Sequence, residues 1–269
     1  MSCSISAIQH IRCLRGGSQS QLLRASDGLF YVTKFKNNPQ HVRILANEMM
    51  ATRLGALLGL PVPRVTPIDV CSTFIENTPE LRVEAGGVRR LFQPGIQLGS
   101  EYVVDPVESV FDYLPESLLD RVKNIHDFPR VLVLDKWTVN ADGRQAVFTR
   151  CSKRRCAYKA TFIDQGYCFN AGEWDFPDSP LRGVYARNHV YLHVTGWDAF
   201  EPALTQVEEM NVDALWALAT EIPPEWYGND AAGLSRLVEA LYRRRSSVRD
   251  QITAFRLSSR APFPNWQSA

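Results

Sequence analysis

The residues whose types and spacing point to chemistry are two acids separated by a hairpin. The segment Leu134-Asp135-Lys136-Trp137-Thr138-Val139-Asn140-Ala141-Asp142-Gly143-Arg144-Gln145 continues an apolar run, Val131 to Leu134, and leads into a strand-like run, Ala146 to Thr149. A basic tip, Cys151 to Lys159, follows, and the stretch closes on Thr161-Phe162-Ile163-Asp164-Gln165-Gly166. One acidic cluster therefore ends a helix, and a second acid ends a strand and meets a glycine. Transfer of a phosphoryl group from ATP with magnesium needs such a pairing. One acid orients the acceptor hydroxyl, while a second acid and a side-chain oxygen hold the metal against the phosphates. Taken singly, Asp142 reads as a helix cap and Asp164-Gln165-Gly166 as an ordinary turn, because turns favour Asp. Their pairing across a hairpin carries the functional reading.

The elements that must position these acids can be read in order. Residues Ile5 to Lys36 read as β-rich: a strand at Ile11 to Leu14, a flexible polar turn at Arg15 to Ser20, and an extended run at Gln21 to Arg24. The turn Ser26-Asp27-Gly28 then gives a hairpin signal before the strand Leu29 to Phe35. Lys34 either shares a face with Phe30 and Val32, where an ammonium is costly unless it meets an anion, or lies on the solvent face with Tyr31 and Phe35 turned in. Apolar residues at three-to-four spacing predict a helix over Gln40 to Leu58, which carries Glu48. Glu48 either reaches back to Lys34 or lies on a solvated face, the default for glutamate. Val65 to Val70 predicts another strand, and the run Tyr102-Val103-Val104-Asp105-Pro106 ends in a turn that would serve as a hinge near Asp105. Beyond it, helices are expected at Tyr113 to Lys123, Val131 to Val139, Val207 to Thr220 and Leu234 to Leu257, with an aromatic, loop-rich segment from Tyr167 to Tyr185. The triplet Arg243-Arg244-Arg245 reads as a solvated helix face.

Composition bounds the reading. The 269 residues suffice for one large domain or two lobes sharing a cleft, and a hydrophobic share of 45% argues against disorder. Thirty basic and 29 acidic side chains leave a net charge of +1, so direct nucleic-acid binding is not indicated. No apolar run approaches the roughly 20 residues of a membrane span, and the N-terminus lacks the apolar core of a secretion signal. The six cysteines are scattered without a Cys-x-x-Cys pair, which predicts reduced thiols in a cytoplasmic protein rather than a disulfide framework or a zinc site.

The order of these features is a glycine-containing hairpin, a strand with Val-x-Lys, a helix with Asn-Glu, a hinge, Asp-Lys-Trp-x-x-Asn-x-Asp-Gly-Arg-Gln, and a strand ending Ile-Asp-Gln-Gly. It resembles the HipA-like kinases, a bacterial branch of the protein-kinase-like fold. The resemblance covers most of the chain, from about Ile11 to about Ile252, and is most specific in ANEMMATRLGALLGLPVP and FIDQGYCFNAGEW. It implies a bilobal α+β fold, with a small β-rich N-lobe over residues 1–105 and a larger helical C-lobe over residues 106–269. It further implies that Gly16, Gly17, Ser18, Gln19 and Ser20 form the loop over the ATP phosphates. Lys34 would grip the α- and β-phosphates with Glu48 as its partner, Asp142 would be the catalytic aspartate, and Asp164 would hold the metal.

One departure stands out. Related kinases place a metal-binding asparagine five residues after the catalytic aspartate, and here that position is Val147. Either Gln145 supplies the oxygen from a shorter loop, with Asn140 supporting the loop or the metal, or the metal site is degenerate. Asp135 and Asn140 show the five-residue spacing, but Asp135 falls inside an apolar helix and is read as structural. Two functions follow: an ATP- and magnesium-dependent phosphotransferase acting on a hydroxyl of a protein or small molecule, serine and threonine included, or a nucleotide-binding pseudokinase. AMP transfer is a third outcome. The resemblance to toxin–antitoxin kinases also suggests a separately encoded regulatory partner.

Overall fold

A computed structural model of the chain describes residues 5–105, 108–152 and 157–267. The first part runs β1 (Ala7–Cys13), β2 (Gln21–Ala25), β3 (Phe30–Lys34), α1 (Ile44–Leu57), β4 (Val65–Val70), α2 (Ser72–Glu76), β5 (Arg82–Ala85), β6 (Val88–Leu91) and β7 (Gly95–Glu101). Five of these strands form an antiparallel sheet in the order β1-β2-β3-β7-β4, while β5 and β6 form a hairpin of their own. The β2–β3 turn is the Asp-Gly expected: Gly28 takes φ 84°, and the Asp27 carboxylate accepts from the Leu29 N–H at 3.0 Å. Pro67 is tolerated because β4 ends the strand order.

The second part runs β8 (Val110–Phe111), α3 (Glu116–Leu119), α4 (Asp127–Thr138), β9 (Gln145–Ser152), β10 (Ala157–Ile163), α5 (Ala203–Glu208), α6 (Val212–Ala219), α7 (Ala231–Arg244) and α8 (Val248–Arg256). Strands β10, β9 and β8 make a small antiparallel sheet, and the helices pack around α4. The tip of the β9–β10 hairpin, residues 153–156, lies outside the described residues, as do residues 106 and 107 beside the expected hinge.

Several expected elements are shorter or divided. The first helix begins at Ile44 rather than Gln40, because the Asn38 side chain accepts from the Gln40 N–H at 2.9 Å and turns the chain aside. Only residues 116–119 of the span from Tyr113 to Lys123 are helical, and Val122 bridges instead to Tyr158. The span from Val207 to Thr220 holds parts of two helices, since Asn211 caps the second by accepting from the Asp213 N–H at 2.9 Å. The span from Leu234 to Leu257 is broken by a 3-10 turn at Arg245–Ser247. The arginine triplet is not a uniformly solvated face. Arg243 is exposed, but Arg244 donates to the Lys136 carbonyl and pairs with Asp178 at 2.7 Å, and Arg245 donates to the Glu208 and Tyr242 carbonyls.

One apolar core runs from α1 through α4 into the C-terminal helices, and a second lies under Tyr31, Phe35 and Phe92 on the other side of the five-stranded sheet. Eleven of the fourteen α1 residues are buried, so this helix serves both lobes at once. Among the described residues no helix is long and apolar enough to cross a membrane. Of the described cysteines, Cys13, Cys71 and Cys151 are exposed, while Cys168 is buried between the lobes. Burial pushes the Cys168 thiol up to about 12. Peptide mapping after iodoacetamide treatment at pH 8 should therefore show label on the three exposed thiols and none on Cys168 until the protein is unfolded. Labelling of Cys168 at a rate matching Cys71 in the folded protein would contradict its burial.

Candidate functional site

The end of β3 brings Lys34 into a cleft of about 660 Å³ bounded by the β1–β2 turn, α1, the loop before β9 and the end of β10. Val32 and Lys34 share the cleft face of β3, while Tyr31 and Phe35 enter the second core, so both faces of the strand are covered. Lys34 is buried, and its Nζ donates to Glu48 Oε2 at 2.7 Å and to Asp164 Oδ1 at 2.8 Å. Burial alone would pull the ammonium down. The two carboxylates more than offset it and hold Lys34 above its ordinary range. Asp164 shows the complementary balance: burial pushes its carboxyl up, Lys34 overcomes that, and Arg144 and Gln145 add to the net lowering. Lys34 is therefore a cation and Asp164 an anion at neutral pH.

Glu48 lies on the cleft side of α1 and is 2% exposed, so it is no solvated helix residue. Gly166 lets the Asp-Gln-Gly turn come this close, since a Cβ there would fall 2.8 Å from Ile44 Cγ1 and 3.3 Å from Glu48 Oε2. Asp164 itself takes φ 62°, a left-handed conformation that aims its side chain back at the cleft.

The β1–β2 turn is more ordered than a flexible polar loop. Leu14 N–H donates to the Ser20 carbonyl at 2.9 Å, Gln19 N–H to the Gly16 carbonyl at 3.1 Å, and the hydroxyls of Ser18 and Ser20 bond at 2.8 Å. Gly16, Gly17, Ser18 and Ser20 line the cleft. Gln19 departs from the expectation: its amide turns outward, donating to the Glu84 carbonyl at 2.6 Å and accepting from the Glu84 N–H at 2.8 Å. Its side chain thus ties the turn to β5 instead of facing the cleft.

Asp142 is exposed in the cleft. Its Oδ1 accepts from the Gly143 N–H at 2.7 Å, and Gln145 Nε2 lies 3.4 Å from its Oδ2. Gln145, the first residue of β9 rather than the residue before it, therefore stands between Asp142 and Asp164. Asn140 does not join them. It is fully buried, its Nδ2 donates to Asp135 Oδ1 at 3.0 Å, and its Oδ1 accepts from the Asp142 N–H at 3.1 Å. As a metal ligand Asn140 is corrected to a support for the loop, because both ends of its amide are already used.

Asp135 is fully buried, paired through both oxygens with the Nε and Nη2 of Arg144. Burial opposes the charge on Arg144, but Asp135 more than offsets it and holds the guanidinium above its ordinary value. Arg144 Nη1 also donates to the Ile163 carbonyl at 3.0 Å, so this pair fixes the Asp142 loop against the strand that presents Asp164. A void of about 10 Å³ behind Asp135 and Lys136 has room for no more than a single water and lies apart from the cleft. Arg144 and the buried Asn47 on α1 are the residues that sequence reasoning passed over. Their only sequence signals are an arginine between Asp-Gly and Gln and an asparagine beside Glu48.

No protein-family model and no curated protein matches this chain. Solved structures do. The Helicobacter pylori proinflammatory kinase CtkA is similar over 94% of this chain and 98% of its own, with 15% identity and a TM-score of 0.57. A Golgi casein kinase with Mn/ADP bound is similar over 95% of this chain and 74% of its own, with 14% identity and a TM-score of 0.54. HipA of Shewanella oneidensis MR-1, solved with HipB and its operator DNA, is similar over 96% of this chain and 75% of its own, with 11% identity and a TM-score of 0.52. The chain has the bilobal α+β protein-kinase-like fold. HipA is among the solved structures that share it.

Proposed function

We propose that this chain is a kinase, transferring a phosphoryl group from ATP with magnesium to a hydroxyl of a protein or a small molecule. The observation that carries the reading is the convergence of Lys34, Glu48, Asp164, Asp142 and the glycine turn on one cleft. Lys34, held charged by two carboxylates, would bind the phosphates, and the backbone N–H groups of residues 16–18 would cradle them. Asp142 would accept the hydrogen bond of the acceptor hydroxyl and orient it. Asp164 with Gln145 would hold the metal. The donors there are oxygens, one carboxylate and one amide, which suits magnesium or manganese rather than a soft metal. Gln145 would present Oε1 by a half-turn of its amide, since the two ends of that group are nearly the same size. When bound, the cation would neutralise charge on the phosphate oxygens. The lobes would divide near Asp105 in this reading, the scattered cysteines support a cytoplasmic location, and the HipA–HipB neighbour motivates a search for a separately encoded regulatory partner.

A second reading, a nucleotide-binding pseudokinase, is favoured by Val147, which occupies the asparagine position of related kinases and is buried in β9. Incubation with γ-labelled or α-labelled ATP and magnesium separates the outcomes. Label from the γ position alone on the protein, or consumption of ATP to ADP, supports phosphoryl transfer. Label from the α position means AMP transfer. Nucleotide binding with neither supports the pseudokinase. Lys34→Met keeps side-chain length but removes the charge, and should lower turnover on the order of 100-fold with the fold intact. Unchanged turnover in that variant would remove Lys34 from the site.

A further inference from the structure

We propose that Asn47, with Arg43 one turn before it, is a latch fastening the segment after Asp164 to α1, so that the Lys34–Glu48 pair and residues 166–174 assemble as one unit without modification of the segment. Its catalytic consequence rests on the kinase reading above; its structural content does not. Asn47 is fully buried. Its Nδ2 faces three backbone carbonyls, of Gly166 at 3.0 Å, Cys168 at 2.9 Å and Ala171 at 2.6 Å, and its Oδ1 accepts from Trp174 Nε1 at 2.7 Å. The whole polar end of one side chain is thus spent on a segment at least 119 residues away. Arg43 grips the same segment: Nη1 donates to the Gly172 carbonyl at 2.8 Å, and the guanidinium lies 4.2 Å from the centre of the Trp174 ring. Its Nη2 donates to Asp230 at 2.9 Å, the residue that caps α7, so the latch reaches the C-terminal helices.

The segment needs such a hold. Phe169, Asn170, Ala171 and Trp174 take φ of 61°, 53°, 58° and 57°. L residues resist this conformation, and it persists only where the surroundings over-determine it. Moving α1 away would break the Lys34–Glu48 pair and at the same time strip the donor from buried carbonyls, which is costly. Between Gly166 and Arg182 the only side-chain hydroxyls are those of Tyr167 and Ser179. The groups that hold the segment are an amide and a guanidinium, whose charge does not change in the physiological range. Assembly therefore depends on groups built into the chain and not on an added phosphate.

Hydrogen exchange on the full chain without nucleotide tests the latch. In Asn47→Ala, peptides covering 166–174 and the first half of α1 should exchange on the order of tenfold or more faster than in the wild type. Trp174→Phe removes only the indole donor and should loosen the same two regions by a smaller factor. It decides alone if Asn47→Ala does not fold. Phosphatase treatment of the wild type should leave protection at 166–174 unchanged, and turnover in both variants should fall through kcat more than through KM for ATP. Unchanged exchange at 166–174, loosening there with α1 and turnover unaffected, or loss of protection after phosphatase treatment would overturn the proposal. A wild-type chain that transfers nothing would sink the kinase reading, and the exchange pattern would still decide the latch.

Discussion

Asp142→Ala is expected to lower phosphoryl transfer on the order of 1,000-fold while leaving ATP affinity nearly unchanged. The asymmetry follows from the geometry. Asp142 is exposed and bonds within its own loop, to the Gly143 N–H and weakly to Gln145, so removing its carboxylate leaves the Lys34–Glu48–Asp164 network whole. The phosphate grip persists, and only the group that orients the acceptor is lost, which costs rate because positioning supplies most of the catalysis in this chemistry. Asp164→Asn should behave differently. It removes one of the two anions holding Lys34 charged as well as the metal-binding carboxylate, so both the magnesium-dependent rise in melting temperature on adding ATP and the turnover should fall. Gln145→Ala should chiefly raise the magnesium concentration needed for half-maximal rate. Steady-state kinetics beside thermal shift, with and without magnesium, separates the three variants. Full activity in Asp142→Ala, with loss of activity in a folded Asp135→Ala protein, would mean that the catalytic aspartate had been misassigned.

Asp135→Ala should cost about 3–5 kcal/mol of stability, a drop in melting temperature on the order of 10 °C, because it leaves the Arg144 guanidinium buried without its carboxylate. The pair lies out of water altogether, with 1% and 0% side-chain exposure, so the screening that makes surface ion pairs weak does not operate. Asn140 would lose the acceptor of its Nδ2 in the same variant, which adds to the cost and loosens the loop carrying Asp142. The double variant Asp135→Leu, Arg144→Met leaves no orphaned charge and should recover much of the lost stability, though not the bond from Arg144 to the Ile163 carbonyl. Denaturant unfolding of Asp135→Leu, of Arg144→Met and of the double variant measures the coupling directly. Single variants within about 1 kcal/mol of the wild type would show that the pair is solvated.

Much of this site was legible in the chain. The Asp27-Gly28 turn, the strand carrying Lys34, the helix carrying Glu48, the apolar helix before Asn140 and the acid ending the β10 strand all follow from local rules of periodicity and turn chemistry, which act over a few residues. So does the reading of Asp135 as structural, since an acid within an apolar helix must find a buried partner. The direction of each side chain was not legible. Alternation along β3 left Lys34 on either face, and what fixes it is Asp164, 130 residues away, together with a second core that takes Tyr31 and Phe35 on the opposite side. Gln19 has the composition of a phosphate loop, but Glu84 offers it a donor and an acceptor from a strand end. Asn140 could have faced the cleft or the core, and Asp135 decides for the core. Arg144 and Asn47 carry no periodic or turn signal, because their roles consist of bonds to Asp135, Ile163 and the backbone of residues 166–171. Short-range patterns set which elements form. Pairing of buried charges and orphaned carbonyls, which depends on residues far apart in sequence meeting in a space without water, sets which way their side chains point.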